Sequence, residues 1–219
     1  MAGIVERRWW PTDVSFADAA AMAGAKAIAE SGVDPQRIGL LIDSSVCRDH
    51  LEPSKAVAVH HQLGLPSSSL VFDLSNACLG FVNAMQLAAS MIDAGQIEYA
   101  LVVDGEGSRG LQELTLERLT REDATAADLN AQFASLTLGS GGAAMVLGRA
   151  DRHPEGHRLV GSVSRAATEH HELCVGTLEE MRTDSRALFA AGIQLSADLW
   201  REASSEFDWS AMDRYISHQ

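Results

Sequence analysis

One cysteine lies in a sequence setting that is typical of a reactive thiol. Cys78 follows an apolar run at 70–74 and a turn of small residues, and it precedes a stretch with the apolar spacing of a helix. A thiol at a helix N-terminus lies near unpaired backbone N–H groups and the positive end of the helix dipole, which favour the thiolate. The pattern therefore predicts a nucleophile. Packing of a small free cysteine where the helix meets the sheet explains the position equally well.

A histidine and a glutamate are the other side chains that could do chemistry. His218 follows an apolar pair at 215–216, which predicts a strand whose end lies where open α/β sheets place their sites. Glu52 directly precedes a proline and a predicted helix. A carboxylate before a helix is favoured by the dipole alone, and a histidine at a strand end is more often a surface residue. From position alone, both residues are interpreted as structural.

The remaining cysteines and the paired histidines are not interpreted as reactive. Cys47 and Cys174 lack the strand, turn and helix that surround Cys78, so they are interpreted as packing residues. The histidine pairs at 60–61 and 170–171 lack a carboxylate-rich pattern, and adjacent residues on a helix point in different directions. No metal site is therefore predicted. The tryptophan pair at 9–10 is interpreted as an anchor near the start of the chain.

The segments that must position these residues alternate between strand and helix patterns. Three short apolar runs recur at about thirty-residue spacing, the length of a βαβ unit. They cover Ile38 to Asp43, Leu70 to Leu74 and Tyr99 to Asp104. Helical patterns accompany them from a Ser15–Asp18 capping box to Gly32, from Pro53 to Leu63, and from Cys78 to Gly95. This order predicts an α/β fold with a parallel sheet covered by helices on both faces.

The rest of the chain is predicted from the same kinds of pattern. Residues 111–134 are polar and charged, which favours an excursion over the surface or a cap rather than another core strand. The glycine-rich stretch at 139–148 returns to the core, and a strand is predicted at 159–164. Residues 183–207 have the apolar spacing of a helix, with Asp184 near its start.

Composition excludes several classes of function. The formal net charge of −13 leaves no basic surface for a nucleic acid or an anionic membrane. Three irregularly spaced cysteines do not form a disulfide framework, so a cytoplasmic location is expected. The sequence contains no apolar run of about 18 residues and no apolar stretch typical of a signal peptide near its start.

Several motifs carry a resemblance to a known family. The stretches 75–81, 139–144 and 215–219 resemble the nucleophile motif, the glycine-rich strand start and the histidine strand of ketoacyl synthase III and its thiolase-superfamily relatives. The stretches 45–54, 102–106 and 136–139 are particularly similar to the OleA type, the acyl-CoA condensing enzyme of bacterial olefin synthesis. The resemblance covers essentially the whole chain in order.

The resemblance implies a layered thiolase-like α/β fold that is incomplete at both ends. Residues 1–165 correspond to the first thiolase-like half without its first strand, and they carry the nucleophile. Residues 166–219 correspond to the start of the second half and end at the histidine. The catalytic asparagine of the family is expected beyond Gln219.

The implied function is a Claisen condensation of two long-chain acyl-CoA molecules. By resemblance, Cys78 accepts an acyl group as a thioester, Glu52 removes the α-proton of the second acyl-CoA, and His218 positions or polarises the incoming thioester. The product is a β-keto acid or thioester. Coenzyme A thioesters are substrates, no cofactor is implied, and a homodimer is expected.

Two alternatives remain open. The first is ketoacyl synthase III, which condenses acyl-CoA with malonyl on an acyl carrier protein; a strongly acidic chain argues weakly against this acidic partner. The second is an inactive truncated paralogue that pairs with a complete partner. Retention of Cys78, Glu52 and His218 together argues against the second alternative.

Overall fold

The computed structural model describes residues 3–218. They divide into two compact units. The first unit holds the residues up to 114 together with 137–160, and the second holds 115–136 together with the residues from 161 onwards. The helices and strands of the first unit alternate as the sequence predicts: α1 Phe16–Ser31, β1 Ile38–Asp43, α2 Lys55–Leu63, β2 Leu70–Asp73, α3 Gly80–Asp93, β3 Tyr99–Glu106 and β4 Gly141–Leu147.

The sheet of the first unit has the strand order β2-β1-β3-β4. Strands β2, β1 and β3 are parallel, with Leu41 opposite both Val71 and Leu101. Strand β4 pairs antiparallel with β3, and Val102 lies opposite Met145. Parallel neighbours need crossover connections, which α2 and α3 provide. The predicted parallel sheet is therefore confirmed for its first three strands, and β4 adds an antiparallel edge.

Helices cover both faces of this sheet because the strand side chains alternate between two apolar clusters. Leu41 and Leu101 belong to one cluster, which includes residues of α1 and α2. Leu40 and Val102 belong to the other cluster, to which α3 contributes Ala84 and two further residues. The small alanines bring the helix backbones close to the sheet, and the strand residues are fully buried.

The helix ends follow local signals in the sequence. The hydroxyl of Ser15 accepts a hydrogen bond from the backbone N–H of Asp18, and the Asp18 carboxylate accepts one from the backbone N–H of Ser15. This capping box starts α1, and Gly32 ends it with a left-handed φ of 66°. Gly64 ends α2 in the same way, with a φ of 61°. These predicted boundaries are confirmed.

The polar region at 111–134 contains no strand, as predicted, and most of it is helical. It forms α4 Arg109–Leu119, which crosses from the first unit into the second, and then α5 Ala126–Gln132. The second unit also contains a short antiparallel pair, β5 Cys174–Gly176 and β6 Met181–Thr183, and the long helix α6 Ser185–Ala203. The carboxylate of Asp184 accepts a hydrogen bond from the backbone N–H of Ala187 and caps this helix.

Two predicted strands are wrong. Residues 159–164 and 215–216 have the apolar pattern of strands, but both segments lack regular secondary structure. A strand needs a neighbour to pair its backbone groups, and neither segment pairs into a sheet among residues 3–218. Their apolar side chains are open to solvent, with Val160 at 81% and Ile216 at 97% exposure. The β5 and β6 pair, in contrast, is too short to be recognised from its pattern.

Two further expectations concern membrane-spanning helices and the division of the chain into halves. No helix within residues 3–218 is long and apolar enough to cross a lipid bilayer. The division into thiolase-like halves at 1–165 and 166–219 stays a prediction.

Candidate active site

The carboxyl ends of the three parallel strands gather acidic side chains at one edge of the sheet. Asp43 ends β1 and Asp73 ends β2, and the two residues are partners in the strand register. Asp104 lies near the end of β3. The turn that carries Cys78 follows β2, and the loop that carries Glu52 follows β1. The topology therefore places both predicted site residues of the first unit in connections that leave this edge.

The turn that carries Cys78 is short and unusual in its backbone. Leu74 donates its N–H to the carbonyl of Asp43, and the chain then turns through Ala77, which has a φ of 45°. Left-handed φ values are uncommon for residues with a Cβ, and they cluster at functional sites. Cys78 lies in the 3₁₀ turn at 77–79 that runs directly into α3, and it is exposed. The predicted setting of a thiol at a helix start is confirmed.

Gly80 brings this helix start against the ends of two strands. A Cβ atom at Gly80 would lie 2.7 Å from the backbone oxygen of Ser44 and 3.3 Å from that of Leu74. The backbone of Gly80 itself is an ordinary right-handed helical one. Glycine is therefore required here for close approach, and that approach fixes the position of Cys78, two residues earlier.

The loop that carries Glu52 is fixed at its beginning by a carboxylate from β3. One oxygen of the Glu106 carboxylate accepts a hydrogen bond from the backbone N–H of Val46 at 2.6 Å, and the other accepts one from that of Cys47 at 3.1 Å. Residues 48–54 then have no helix or strand, and Glu52 is exposed. The Glu52–Pro53 peptide bond is cis.

The same loop is fixed at its end by Lys55, the first residue of α2. Its ammonium group lies 3.4 Å from a carboxylate oxygen of Asp43 and donates a hydrogen bond to the carbonyl of Gly105 at 3.0 Å. The backbone N–H groups of Lys55 and Ala56 both donate at 2.9 Å to the carboxylate of Asp73. Asp73 thus caps the start of α2 from the end of β2.

Burial dominates the electrostatics of the remaining carboxyl groups at this edge. Burial raises the pKa of Asp43, and the Lys55 ammonium acts in the opposite direction. Burial also raises the pKa of Asp104, and the nearby Glu106 carboxylate adds to the effect. The Ser44 hydroxyl lies 3.0 Å from both a carboxylate oxygen of Asp104 and the Val103 carbonyl. These groups therefore form a buried polar network below the two loops.

The other cysteines differ from Cys78 in their surroundings. The Cys47 thiol donates a hydrogen bond to the carbonyl of Gly107 at 3.3 Å. Burial and the Glu106 carboxylate raise the pKa of Cys47 to about 12, so it carries almost no thiolate near neutral pH. Cys174 lies exposed on β5 in the second unit, with its sulfur 3.4 Å from the Thr183 hydroxyl.

His218 and the tryptophan pair lie at the two ends of the described chain. His218 is exposed in the second unit, in a segment without regular structure, so its predicted place at a strand end is wrong. Its catalytic role stays a prediction. The Trp10 indole donates a hydrogen bond to the carbonyl of Glu106 at 2.9 Å, and the Trp9 indole donates to the Gln112 side chain. Both indoles act as anchors.

The roles of the residues in the buried network could not be recognised from the sequence. Asp43, Asp104 and Glu106 all lie at strand ends, where polar residues are a general sign of a site, but nothing in the sequence identifies their partners. Lysine is rarely buried, so nothing marked Lys55. Within residues 3–218, no three histidine, cysteine, aspartate or glutamate side chains are grouped so that they could hold a metal ion.

The sequence matches proteins of one enzyme family. The family model for 3-oxoacyl-[acyl-carrier-protein] synthase III matches residues 72–113. All of the chain aligns with the acyl-CoA:acyl-CoA alkyltransferase of Xanthomonas campestris pv. campestris, at 44% identity over 221 residues and 65% of that protein. It also aligns with the acyl-CoA:acyl-CoA alkyltransferase of Shewanella oneidensis, at 34% identity over 66% of that protein. The chain thus spans about two thirds of the length of these relatives.

The chain also matches a second kind of condensing enzyme, over a shorter stretch. It is 34% identical to the beta-ketoacyl-[acyl-carrier-protein] synthase III of Clostridium perfringens over 102 residues, which are 47% of this chain and 31% of that protein.

Solved structures agree with the sequence matches. A cysteine-to-serine variant of Xanthomonas campestris OleA, crystallised with lauric acid and lauroyl-CoA, superposes with a TM-score of 0.94 at 43% identity. The match covers 97% of this chain and 64% of that one. A glutamate-to-glutamine variant of the same protein superposes with a TM-score of 0.97 at 43% identity, over 100% of this chain and 64% of that one.

Proposed function

This chain belongs to the thiolase superfamily and resembles its OleA-type members, and from that premise we propose that the protein joins two long-chain acyl-CoA molecules by a non-decarboxylative Claisen condensation. The predicted thiolase-like α/β fold is confirmed by the superposition on OleA. The observation that carries the proposal is the 44% identity, over all of this chain, to a protein named acyl-CoA:acyl-CoA alkyltransferase.

Cys78 starts the reaction in this proposal. Its thiol loses a proton to solvent, the thiolate attacks the thioester carbonyl of the first acyl-CoA, and coenzyme A leaves as a thiolate that takes up a proton from solvent. An acyl thioester on Cys78 results. The geometry supports this role because Cys78 is exposed at the start of α3, and backbone N–H groups at a helix start can stabilise a developing oxyanion.

Glu52 and His218 act in the second half of the reaction. The Glu52 carboxylate takes the α-proton of the second acyl-CoA, and His218 donates a hydrogen bond that polarises its thioester carbonyl. The carbanion then attacks the acyl carbonyl on Cys78, the new carbon–carbon bond forms, and the cysteine thiolate leaves. The product is a β-keto thioester, which hydrolysis converts to a β-keto acid. Exposure of Glu52 in its loop supports access to substrate.

We further propose that the protein is a homodimer in which the Glu52 loop reaches the site of the neighbouring copy. Apolar side chains in the loop and around the helix start are exposed in the single chain, with Leu51 at 84%. Val46, Leu79 and Val82 are also exposed, at 50%, 56% and 50%. A second copy that covers these side chains would remove apolar surface from water and place Glu52 beside another Cys78.

Ketoacyl synthase III activity is the second candidate. The match of residues 72–113 to that family model favours it, as does the alignment with the Clostridium perfringens protein. Such an enzyme obtains its carbanion by decarboxylation of malonyl on an acyl carrier protein, so it needs no strong base. The two candidates therefore differ in the second substrate and in the need for Glu52.

The test uses the full-length protein with lauroyl-CoA as the only acyl donor. We expect release of coenzyme A, an acyl adduct on the Cys78 peptide by mass spectrometry, and a β-keto product from two lauroyl chains. Condensation only when malonyl on an acyl carrier protein is added would replace the proposal by the second candidate. An adduct confined to Cys47 or Cys174 would contradict the role of Cys78, and sedimentation as a monomer at micromolar concentration would contradict the dimer.

A further inference from the structure

The loop that carries Glu52 is exposed between two fixed points. We define the base loop as residues 48–54, all of which are exposed or half-buried and none of which lies in a helix or strand. A segment of this kind samples many backbone conformations unless its ends are restrained. A general base must lie within hydrogen-bond reach of the proton that it removes. The restraints at the ends of the base loop therefore bear on catalysis.

The restraint at the start of the base loop comes from one side chain. Glu106 is half-buried, and its two carboxylate oxygens accept the consecutive backbone N–H groups of Val46 and Cys47, about sixty positions away in sequence. A carboxylate that accepts two backbone N–H groups fixes the orientation of the peptide as well as its position. At the other end, the buried Lys55 ammonium fixes the first residue of α2.

Glu106 is itself held rigidly. The Trp10 indole donates a hydrogen bond to its carbonyl at 2.9 Å. Its neighbour Gly105 lies against α1, where an added Cβ would clash with the backbone oxygen of Phe16, and the Gly105 N–H donates to the Ser45 hydroxyl at 2.7 Å. The carboxylate therefore projects from a part of β3 that cannot shift without breaking the contact with α1.

We propose that Glu106 is a positioning residue that sets where the base loop holds Glu52, so that Glu106 acts on the carbon–carbon bond-forming step and not on acylation of Cys78. This inference rests on the proposed function, because it takes Glu52 as the base. It deepens that function by naming a residue, outside the three predicted ones, on which proton removal depends. Cys78 is carried by a different connection, which is held by Gly80 and the end of β2.

The main variant for the test is Glu106→Gln in the full-length protein. Glutamine has nearly the same shape, but its NH₂ group faces one of the two backbone N–H donors, so one hydrogen bond is lost and two donors are opposed. We expect the condensation rate to fall by about ten- to a hundredfold, the loss associated with misplacement of a catalytic group by about 1 Å. Acylation of Cys78 should stay within about twofold of the parent.

Three further measurements separate positioning from a general structural role. Exchange of the acyl-CoA α-proton in D₂O should fall together with condensation, because it reports on the base directly. The milder variant Glu106→Asp keeps the charge but cannot reach both N–H groups, so its condensation rate should lie between those of the parent and Glu106→Gln. Glu30→Gln removes an equal charge at an exposed position of α1 and should change neither step.

The outcomes distinguish this inference from the proposed function. If both Glu106 variants lower acylation and condensation in equal proportion, the residue is structural and the inference is overturned. If Glu106→Gln condenses at the parent rate while Glu52→Gln does not condense, the inference is overturned and the proposed function stands. If Glu52→Gln condenses at the parent rate, the proposed base role fails and the inference fails with it.

Discussion

The ammonium group of Lys55 lies 3.4 Å from a carboxylate oxygen of Asp43, and both side chains are buried, with 4% and 1% exposure. Removal of one partner leaves an uncompensated charge in the protein interior, which costs about 3–5 kcal/mol. We therefore expect Lys55→Met to lower the free energy of unfolding by about that amount, measured by urea denaturation. The double variant with Asp43→Asn should recover part of the loss. A single variant as stable as the parent would contradict the buried pair.

The close contact at Gly80 gives a prediction about both stability and chemistry. Gly80→Ala places a Cβ against the backbone oxygen of Ser44, so the start of α3 must move. We expect a loss of about 1–3 kcal/mol in the free energy of unfolding, together with slower acylation of Cys78.

The matched control for Gly80 is Gly110→Ala in α4. Apart from its chain neighbours and its own helix backbone, a Cβ at Gly110 meets no atom within 4 Å, and the residue lies in the first turn of α4, where alanine is compatible with the helical backbone. This variant should be as stable as the parent or more stable, and it should acylate normally. Equal effects of the two substitutions would mean that close approach at Gly80 is not what requires glycine.

Local signals account for the parts of the fold that could be predicted. The Ser15 and Asp18 capping box, the glycine at 64 and the apolar run at 38–43 each determine structure within a few residues. The strands predicted at 159–164 and 215–216 are absent from the structure. A strand depends on a neighbouring strand, and an apolar pattern in one segment does not indicate whether such a neighbour exists.

The candidate site was predictable only where its signal was local. Cys78 stood out because the strand, the turn and the helix start are adjacent in sequence. Glu106 lies in the stretch 102–106 that carries the resemblance, but its role could not be predicted, because its partners are the backbone N–H groups of Val46 and Cys47, and a backbone donor leaves no mark in the sequence. Lys55 was missed because its burial depends on carboxylates and carbonyls that the fold brings from other strands.

The three cysteines should differ in reactivity. With a pKa raised to about 12 by burial and the Glu106 carboxylate, Cys47 has a thiolate fraction on the order of 10⁻⁴ at pH 8. Cys78 and Cys174 are exposed. We expect iodoacetamide to modify Cys78 and Cys174 in the folded protein and to leave Cys47 unmodified, as measured by peptide mass spectrometry.

Two controls complete the alkylation experiment. All three cysteines should react in guanidinium chloride, which shows that protection of Cys47 depends on the fold. Prior incubation with lauroyl-CoA should protect Cys78 and not Cys174. Rapid modification of Cys47 in the folded protein would contradict its burial.

Asp104 should make stability depend on pH. Burial and the Glu106 carboxylate raise its pKa above the unfolded value of about 3.9, so the folded state binds the proton more tightly. Stability contributed by the protonated form is therefore present at low pH and is lost as pH rises through the raised pKa. Asparagine does not ionise, so the Asp104→Asn variant does not lose stability at this position as the pH rises. Its free energy of unfolding, relative to the parent, should increase as the pH rises above about 4.

Asp18→Asn is a control for which the expected pH dependence of stability has the opposite sign. The Ser15 hydroxyl and backbone N–H lower the pKa of Asp18, so its ionised form stabilises the folded state above the unfolded pKa, and this stability is lost as pH falls through the lowered value. The variant should be less stable than the parent near neutral pH, and the difference should shrink on acidification. Parallel pH profiles for the two variants would contradict the burial argument for Asp104.

Replacement of Glu52 by glutamine separates the two candidate functions. The α-proton of an acyl-CoA is only weakly acidic, so a condensation without decarboxylation needs a positioned base, and general bases contribute about 10²- to 10⁴-fold in rate. Glu52→Gln in the full-length protein should therefore lower condensation of two lauroyl-CoA molecules by about that factor and leave the acyl adduct on Cys78 intact, measured by product analysis and mass spectrometry. The matched control is Asp49→Asn, because Asp49 is another exposed carboxylate in the base loop. This variant should condense normally. A decarboxylating synthase needs no such base, so a Glu52→Gln variant that condenses at the parent rate would mark Glu52 as structural and favour ketoacyl synthase III activity.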